Sequence, residues 1–488
     1  MSSVVEQSPT RDDRSFLGQP RALANVFGVE MWERFSFYGM QGILLLYLYY
    51  SAADGGLGIP QATAAGIVGA YGGGVYLSTI LGAWVADRLV GSERVLFCSA
   101  IVIAVGHVAL ALLPGLGGVA TGLILIALGS GGLKANATSV VGALYAKDDP
   151  RLDAGFSLFY LGINLGAFFG PVLTGLLQTT LGFHYGFGLA AVGMAIGLVQ
   201  YSFGRKRLPA IVHEVPNPLP ASRHAGYLWA AIATTAVIVV LVLLGVITAS
   251  GLVTIVIALT LIATVCYFVV ILRNRQITAL ERKRVYAFMP LFVASAAFWS
   301  LSQQQFTVVT IYTDERLNRD VFGWELPVSW VQSFNPVFII LLSGAFAALW
   351  TRWGSRQPST PVKFAFGTAL MGSAFLLFLP FVDGGPNSTP LLAMIAILFV
   401  LTVAELLIGP VGLAVTTRLA PEPFKTQMVA LFFLSIALGT AVSGWLAEWY
   451  TSVSETVYFS VIGGVAIVLG LLLALIARPI LRLMNGVR

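Results

Sequence analysis

The feature that most constrains this chain is a succession of fourteen apolar runs, each long enough to cross a bilayer. A helix needs about 20 predominantly apolar residues to span the hydrocarbon core. Lipid offers no hydrogen bonds, so a spanning segment must pair its own backbone groups, and an α-helix does this within one segment. Of the 488 residues, 57% are hydrophobic and 10% are charged, where a soluble domain carries about 25% charged residues. A soluble enzyme and a disordered chain are both excluded. The 52 glycines suit membrane helices, in which small residues let backbones approach closely. The expected fold is an all-α integral membrane protein with 14 transmembrane helices.

The 28 Lys+Arg outnumber the 22 Asp+Glu, but their placement explains the excess. With the N-terminus in the cytoplasm, the cytoplasmic connections hold Arg11, Arg14 and Arg21, then Arg88 and Arg94, Lys147 and Arg151, and Arg205 to Arg207. Further along they hold Arg273 to Arg284, Arg352 and Arg356, Arg418 and Lys425, and Arg478 to Arg488. On the opposite side only Arg316 and Arg319 lie in connections, while Arg34 and Lys134 fall inside helices. This is the positive-inside pattern with both termini inside, and it implies no nucleic-acid partner. Turn signals at Asp54-Gly55-Gly56, Pro114-Gly115 and Asp383-Gly384-Gly385 separate the runs. The N-terminus, with Arg11, Asp12, Asp13 and Arg14, has no apolar core of a cleaved signal. Cys98 and Cys266 lie in apolar runs and form no metal spacing or disulfide framework. Four segments are expected: a cytoplasmic tail over 1–27, a six-helix bundle over 28–203, a linker with two extra helices over 204–285, and a second six-helix bundle over 286–488. The inserted pair at 226–272 carries no charged residue, which reads as a lipid-facing insert.

Charges at membrane depth carry the functional information, because each costs about 2.5–3.5 kcal/mol on insertion scales. In the first run Glu30, Glu33, Arg34, Phe37, Tyr38 and Gln41 share one helical face. Glu30 and Arg34 stand at i,i+4. One reading is a solvated helix start; the other is a buried polar stripe, since it persists for three turns. Lys134 and Glu405 each lie deep in their runs, as structural ion pairs or as functional groups. Tyr160 and Asn164 are i,i+4 partners, and Trp299, Ser302 and Gln303 cluster in a later run. Asn164 can serve as interhelical glue or as a ligand contact. His107 reads as a packed, hydrogen-bonded histidine ahead of a proton carrier. Glu30, Glu33 and Glu405 against Arg34 and Lys134 leave one net negative charge, so one proton neutralises the set. Deep carboxylates of this kind are the proton relays of transporters. No Walker loop, nucleophile elbow or metal-ligand set is present, so no enzyme is expected. The longest polar stretches, about 20 residues, are too short for a sensor's output domain.

Gly82-Ala-Trp-Val-Ala-Asp87-Arg88-Leu-Val-Gly91-Ser-Glu-Arg94 resembles the loop signature of the major facilitator superfamily, with Gly82, Asp87, Arg88, Gly91 and Arg94 as its conformational motif. Glu30-x-x-Glu33-Arg34-Phe35-Ser36-Phe37-Tyr38 looks like the ExxERFxYY signature of proton-dependent oligopeptide transporters. Gly132-Leu-Lys134-Ala-Asn136, Phe159-Tyr160-Leu-Gly-Ile-Asn164-Leu-Gly166, Ser333-Phe334-Asn335-Pro336 and Glu405 to Pro410 resemble further motifs of that family, in the right order. The resemblance implies the two-bundle fold of the superfamily with two extra helices. It also implies symport of di- and tripeptides with protons by alternating access, at the inner membrane, by a monomer driven by the proton gradient without a cofactor. In that picture Glu30, Glu33, Arg34 and Glu405 serve proton coupling. Arg34 and Lys134 receive the peptide carboxylate and Glu405 faces its amino end. Tyr38, Tyr76, Asn164, Trp299, Gln303, Asn335 and Trp445 line the pocket. The family pattern is broken at Phe37, Gln41 and Gln303, and Gln41 and Gln303 could hydrogen-bond to each other instead. The same departures leave open a different substrate (a peptide-like drug, an amino-acid conjugate or a small anion) or weakened proton coupling.

Overall fold

The computed structural model describes residues 15–146, 149–382 and 384–487. Arg11, Asp12, Asp13, Arg14, Lys147, Asp383 and Arg488 lie outside the described residues. The first half of the chain forms α1 (Arg21–Tyr49), α2 (Gln61–Val85), α3 (Ser92–Leu112), α4 (Gly115–Gly142), α5 (Leu152–Leu181) and α6 (Phe183–Gly204). The inserted pair is α7 (Ala221–Leu243) and α8 (Leu252–Arg273). The remainder forms α9 (Ala279–Ser302), α10 (Val308–Arg316), α11 (Phe334–Trp353), α12 (Thr360–Leu376), α13 (Leu391–Leu419), α14 (Lys425–Tyr450), α15 (Glu455–Leu475) and α16 (Ala477–Met484). A two-stranded hairpin, β1 (Asp320–Val321) with β2 (Trp324–Glu325), follows α10.

Among the described residues, 13 helical segments are long and apolar enough to cross a membrane. α1 is 29 residues long and carries the charged stripe of Glu30, Glu33 and Arg34. With α1 included, the helices match the expected succession. One of them departs from it. The run expected over 286–311 breaks at Gln303–Phe306 into a 3₁₀ turn, so α9 and α10 share a span.

Packing divides the chain into two units. One comprises the chain up to Met40 together with Ser78–Thr248; the other comprises Gln41–Leu77 and Ala249–Arg488. The division runs through α1 and α2, and it separates α7 from α8. α7 buries none of its apolar window, while α8 buries Thr260 and Thr264 and packs on the second unit. α7 is thus exposed along nearly its whole length, with Tyr227 against Trp84 of α2, while α8 is partly covered.

In the first unit, α1 owes its position to glycine. A Cβ on Gly166 of α5 would stand 2.8 Å from Phe35 N, and one on Gly170 would stand 2.9 Å from Gly39 N. Thr174, one turn further, donates its Oγ1 to Gly39 O at 2.8 Å. This small-residue stripe lets α5 lie against the α1 backbone, which fixes the roll of α1 and turns its charged face inward. On α4, Gly131 packs on Ser78 of α2 and Gly132 on Ser99 of α3, and Ser78 Oγ donates to Ala127 O at 2.6 Å.

In the second unit the end of α1 is tied down by charge. Tyr49 and Tyr50 both donate to the Asp314 carboxylate of α10, at 2.5 and 2.7 Å. Gly69 of α2 packs on Gly444 of α14, and Gly372 of α12 on Gly463 of α15. Phe378 and Phe459 stack at 4.5 Å, with Tyr312 edge-on to both.

Gly166→Leu forces a side chain into the α1 backbone and is expected to cost about 1–3 kcal/mol or more. Thermal unfolding in detergent should show a lower apparent Tm. Gly464→Leu, at a position where a Cβ meets nothing within 4 Å, should leave it unchanged. Equal shifts would mean the glycine stripe does not set the packing.

Candidate functional site

The polar stripe of α1 is buried along its length. Glu33 is 0% exposed, Glu30 1% and Arg34 8%. Arg34 Nη2 donates to Glu30 Oε1, and Arg34 Nη1 lies 3.3 Å from Glu33 Oε2. The other Glu33 oxygen accepts from Ser130 Oγ of α4 at 3.0 Å. One guanidinium thus holds two carboxylates in a dry site, where the pairing offsets desolvation that neither acid could bear alone. A solvated helix start is ruled out by this burial.

Lys134 stands one helical turn beyond Ser130 on α4. Its ammonium sits over the Phe37 ring, 4.1 Å from the centroid, in the field of Glu30, Glu33 and Arg34. The first unit therefore gathers two carboxylates and two cations. Asn136 donates to Gly132 O at 2.8 Å and to Gly82 O at 3.4 Å, pinning α4 to α2.

The second unit holds Glu405 on α13. Asn335 Nδ2, at the start of α11, donates to Glu405 Oε2 at 2.9 Å and to Thr402 Oγ1 at 3.1 Å. No cation pairs with Glu405 among the described residues. Trp299 of α9 has its Nε1 buried without an acceptor, and its Cβ closes on Gly439 of α14. Gln303 is buried in the turn after α9. Gln41 is buried as well, yet its Oε1 has no partner. No Gln41–Gln303 hydrogen bond forms among the described residues. Trp445 is 50% exposed; Tyr38 and Tyr76 are half-buried. Asn164 donates to Tyr160 O within its own helix at 2.8 Å, so its amide back-bonds rather than bridging helices. His107 is fully buried and packed as expected, but the expected hydrogen bond is absent, since neither ring nitrogen has a partner.

The loop motif has a local device that the sequence did not announce. Ala86–Val90 is a π-helical turn ending at Gly91, whose φ of 85° favours glycine. The segment after α6 runs back over it: Asn217 N donates to Asp87 O at 3.0 Å and Leu219 N to Arg88 O at 2.8 Å. Glu93, fully buried, anchors that segment through Arg205 at 2.6 and 2.9 Å and His213 at 3.3 Å. Only positions 93 and 205, an acid and a base near expected helix ends, hinted at it. Gly82 allows the close approach of α2 to Gly132 of α4. Arg94 is exposed.

Comparison with known proteins places this geometry. The sequence model of the POT family (PTR2) matches residues 93–465. An uncharacterized transporter, YclF, of Bacillus subtilis is 40% identical over 99% of this chain and 98% of its own length. A di-/tripeptide transporter of Lactococcus lactis subsp. cremoris is 38% identical over 99% of this chain and 100% of its own. A solved structure of a peptide transporter POT in complex with sulfate aligns with a TM-score of 0.92 at 43% identity, covering 97% of this chain and 98% of that one. The chain is a multi-pass membrane protein of the POT family, with the major facilitator superfamily fold.

Proposed function

We propose that the chain is a proton-coupled symporter that imports di- and tripeptides across the cytoplasmic membrane, with both termini in the cytoplasm. The charge balance of the first unit carries this reading. Glu30, Glu33, Arg34 and Lys134 cancel when the site is empty. A peptide carboxylate received by Lys134 and Arg34 adds one negative charge, and a proton on Glu30 or Glu33 removes it. Burying a net charge is costly, so peptide and proton enter together more readily than either alone. In the second unit Glu405 lacks a cation, and the peptide ammonium supplies one. Recognition through the two termini suits a carrier that accepts many side chains, because every short peptide has both. The name of the Lactococcus lactis relative supports this substrate class.

The other polar groups take subsidiary roles. Trp299 offers an unused N–H, Asn335 orients Glu405, and Tyr38, Tyr76, Asn164, Gln303 and Trp445 face the bound peptide. The bundles over 28–203 and 286–488 supply alternating access, the linker over 204–285 joins them, and the tail over 1–27 stays in the cytoplasm. The chain acts as a monomer, and the proton gradient drives it without a cofactor.

The test is uptake of labelled dialanine into proteoliposomes with and without an inward proton gradient. Accumulation above the outside concentration is expected only with the gradient. No peptide flux in folded protein would overturn the substrate assignment. Glu33→Gln should lose accumulation yet keep peptide exchange; uphill uptake in that variant would refute the coupling role. Lys134→Ala should weaken peptides with a free carboxylate by about 10- to 100-fold. It should weaken C-terminal amides far less, and equal losses on both would sink the carboxylate assignment.

A further inference from the structure

At the basic face of the second unit lies a cavity of about 420 Å³ that none of the groups above uses. It is bounded by the turn after α11 (Gln357 to Ser359), the first turn of α12, and the end of α13 from Pro410 to Arg418. Its size lies within the range of about 300–1,000 Å³ typical of small-molecule sites.

Two cations line it, Lys363 and Arg418. Lys363 is 8% exposed, and its Nζ is held by neutral groups: the Gln357 side-chain oxygen at 2.6 Å and the Trp350 ring at 4.1 Å. Neither cation has an ion-pair partner among the described residues. Lys363 is therefore a buried, uncompensated positive charge, an arrangement that persists at a cost unless an anion joins it, while Arg418 is exposed at the rim. The N-terminus of α12 opens into the same space. Ser359, its N-cap, makes no capping hydrogen bond, and the positive end of the helix dipole adds to the field.

The surroundings say where the anion comes from. α11 is the least buried span of the second unit, with 11% of its apolar window covered. Trp353 at its end is 43% exposed, as aromatic residues are at the headgroup level of a bilayer. Arg352 and Arg356 flank it, both exposed. Acyl chains can lie along α11 while a headgroup enters beside Lys363. Basic pockets between transmembrane helices hold anionic headgroups in this way.

We propose that this cavity binds a phosphate group through Lys363, Arg418 and the first turn of α12, and that an anionic phospholipid supplies it. The proposal does not depend on the transported substrate. Native mass spectrometry of the full chain in detergent, with phosphatidylglycerol or phosphatidylcholine of matched chains, tests it. Phosphatidylglycerol should be retained in preference, and K363Q/R418Q should lower its affinity roughly ten- to thirtyfold without changing phosphatidylcholine binding. Irradiation of a photoactivatable phosphatidylglycerol on the unmodified protein should label the peptide spanning 357–363, a readout that needs no variant. Displacement of phosphatidylglycerol by inorganic phosphate would support the phosphate site and assign it to a soluble anion. Equal retention of the two lipids, unchanged preference in the double variant, or labelling elsewhere would overturn the proposal.

Discussion

The structure of this transporter depends on one guanidinium. Arg34 joins Glu30 and Glu33 on α1 and makes it possible for both acids to be buried. Without it, two carboxylates would lie desolvated on one helix, each costing several kcal/mol. The pairing in turn requires that α1 be rolled so that its charged face meets α4, where Ser130 takes the remaining Glu33 oxygen. The roll is set from behind, by the glycines of α5 against the α1 backbone. The stripe, the glycines and the serine thus form one arrangement, and a change in any of them is felt at the carboxylates.

Much of this was legible in the sequence. Helix count and connections followed from hydropathy, because lipid leaves a spanning backbone no alternative to the helix. The inward face of α1 followed from the 100° spacing of its polar residues, and the depth of Lys134 and Glu405 from their distance to the helix ends. What stayed hidden depended on partners far away in the chain. Gly166 and Gly170 read as small residues, but nothing local says that they meet Phe35 and Gly39. The break at Gln303–Phe306 has no proline or glycine to mark it. The segment over the Asp87–Arg88 turn is held by backbone hydrogen bonds, which have no residue signature. Asn164 shows the same limit: its amide could reach outward or back along its helix, and only the packed environment decides.

The two units differ in charge logic. In the first the buried cluster balances, Glu30 and Glu33 against Arg34 and Lys134. In the second Glu405 is steadied by the amide of Asn335 instead of by a cation. A neutral donor orients a carboxylate without cancelling its charge, so Glu405 stays available to a cation. Replacing Asn335 with a basic residue would satisfy Glu405 permanently and remove that availability.

The departure at Phe37 becomes intelligible in this light. The family signature has a tyrosine there, and its loss removes a hydroxyl from a site rich in charge. The ring itself remains, and Lys134 sits over its face at 4.1 Å. A cation is attracted to the face of a phenyl ring without a formal counter-charge, and a desolvated contact of this kind is worth about 2 kcal/mol. Phe37 therefore holds the Lys134 ammonium beside the α1 acids while consuming none of their charge. The ring thus supports Lys134 without a charge of its own, and the loss of the hydroxyl leaves that support in place.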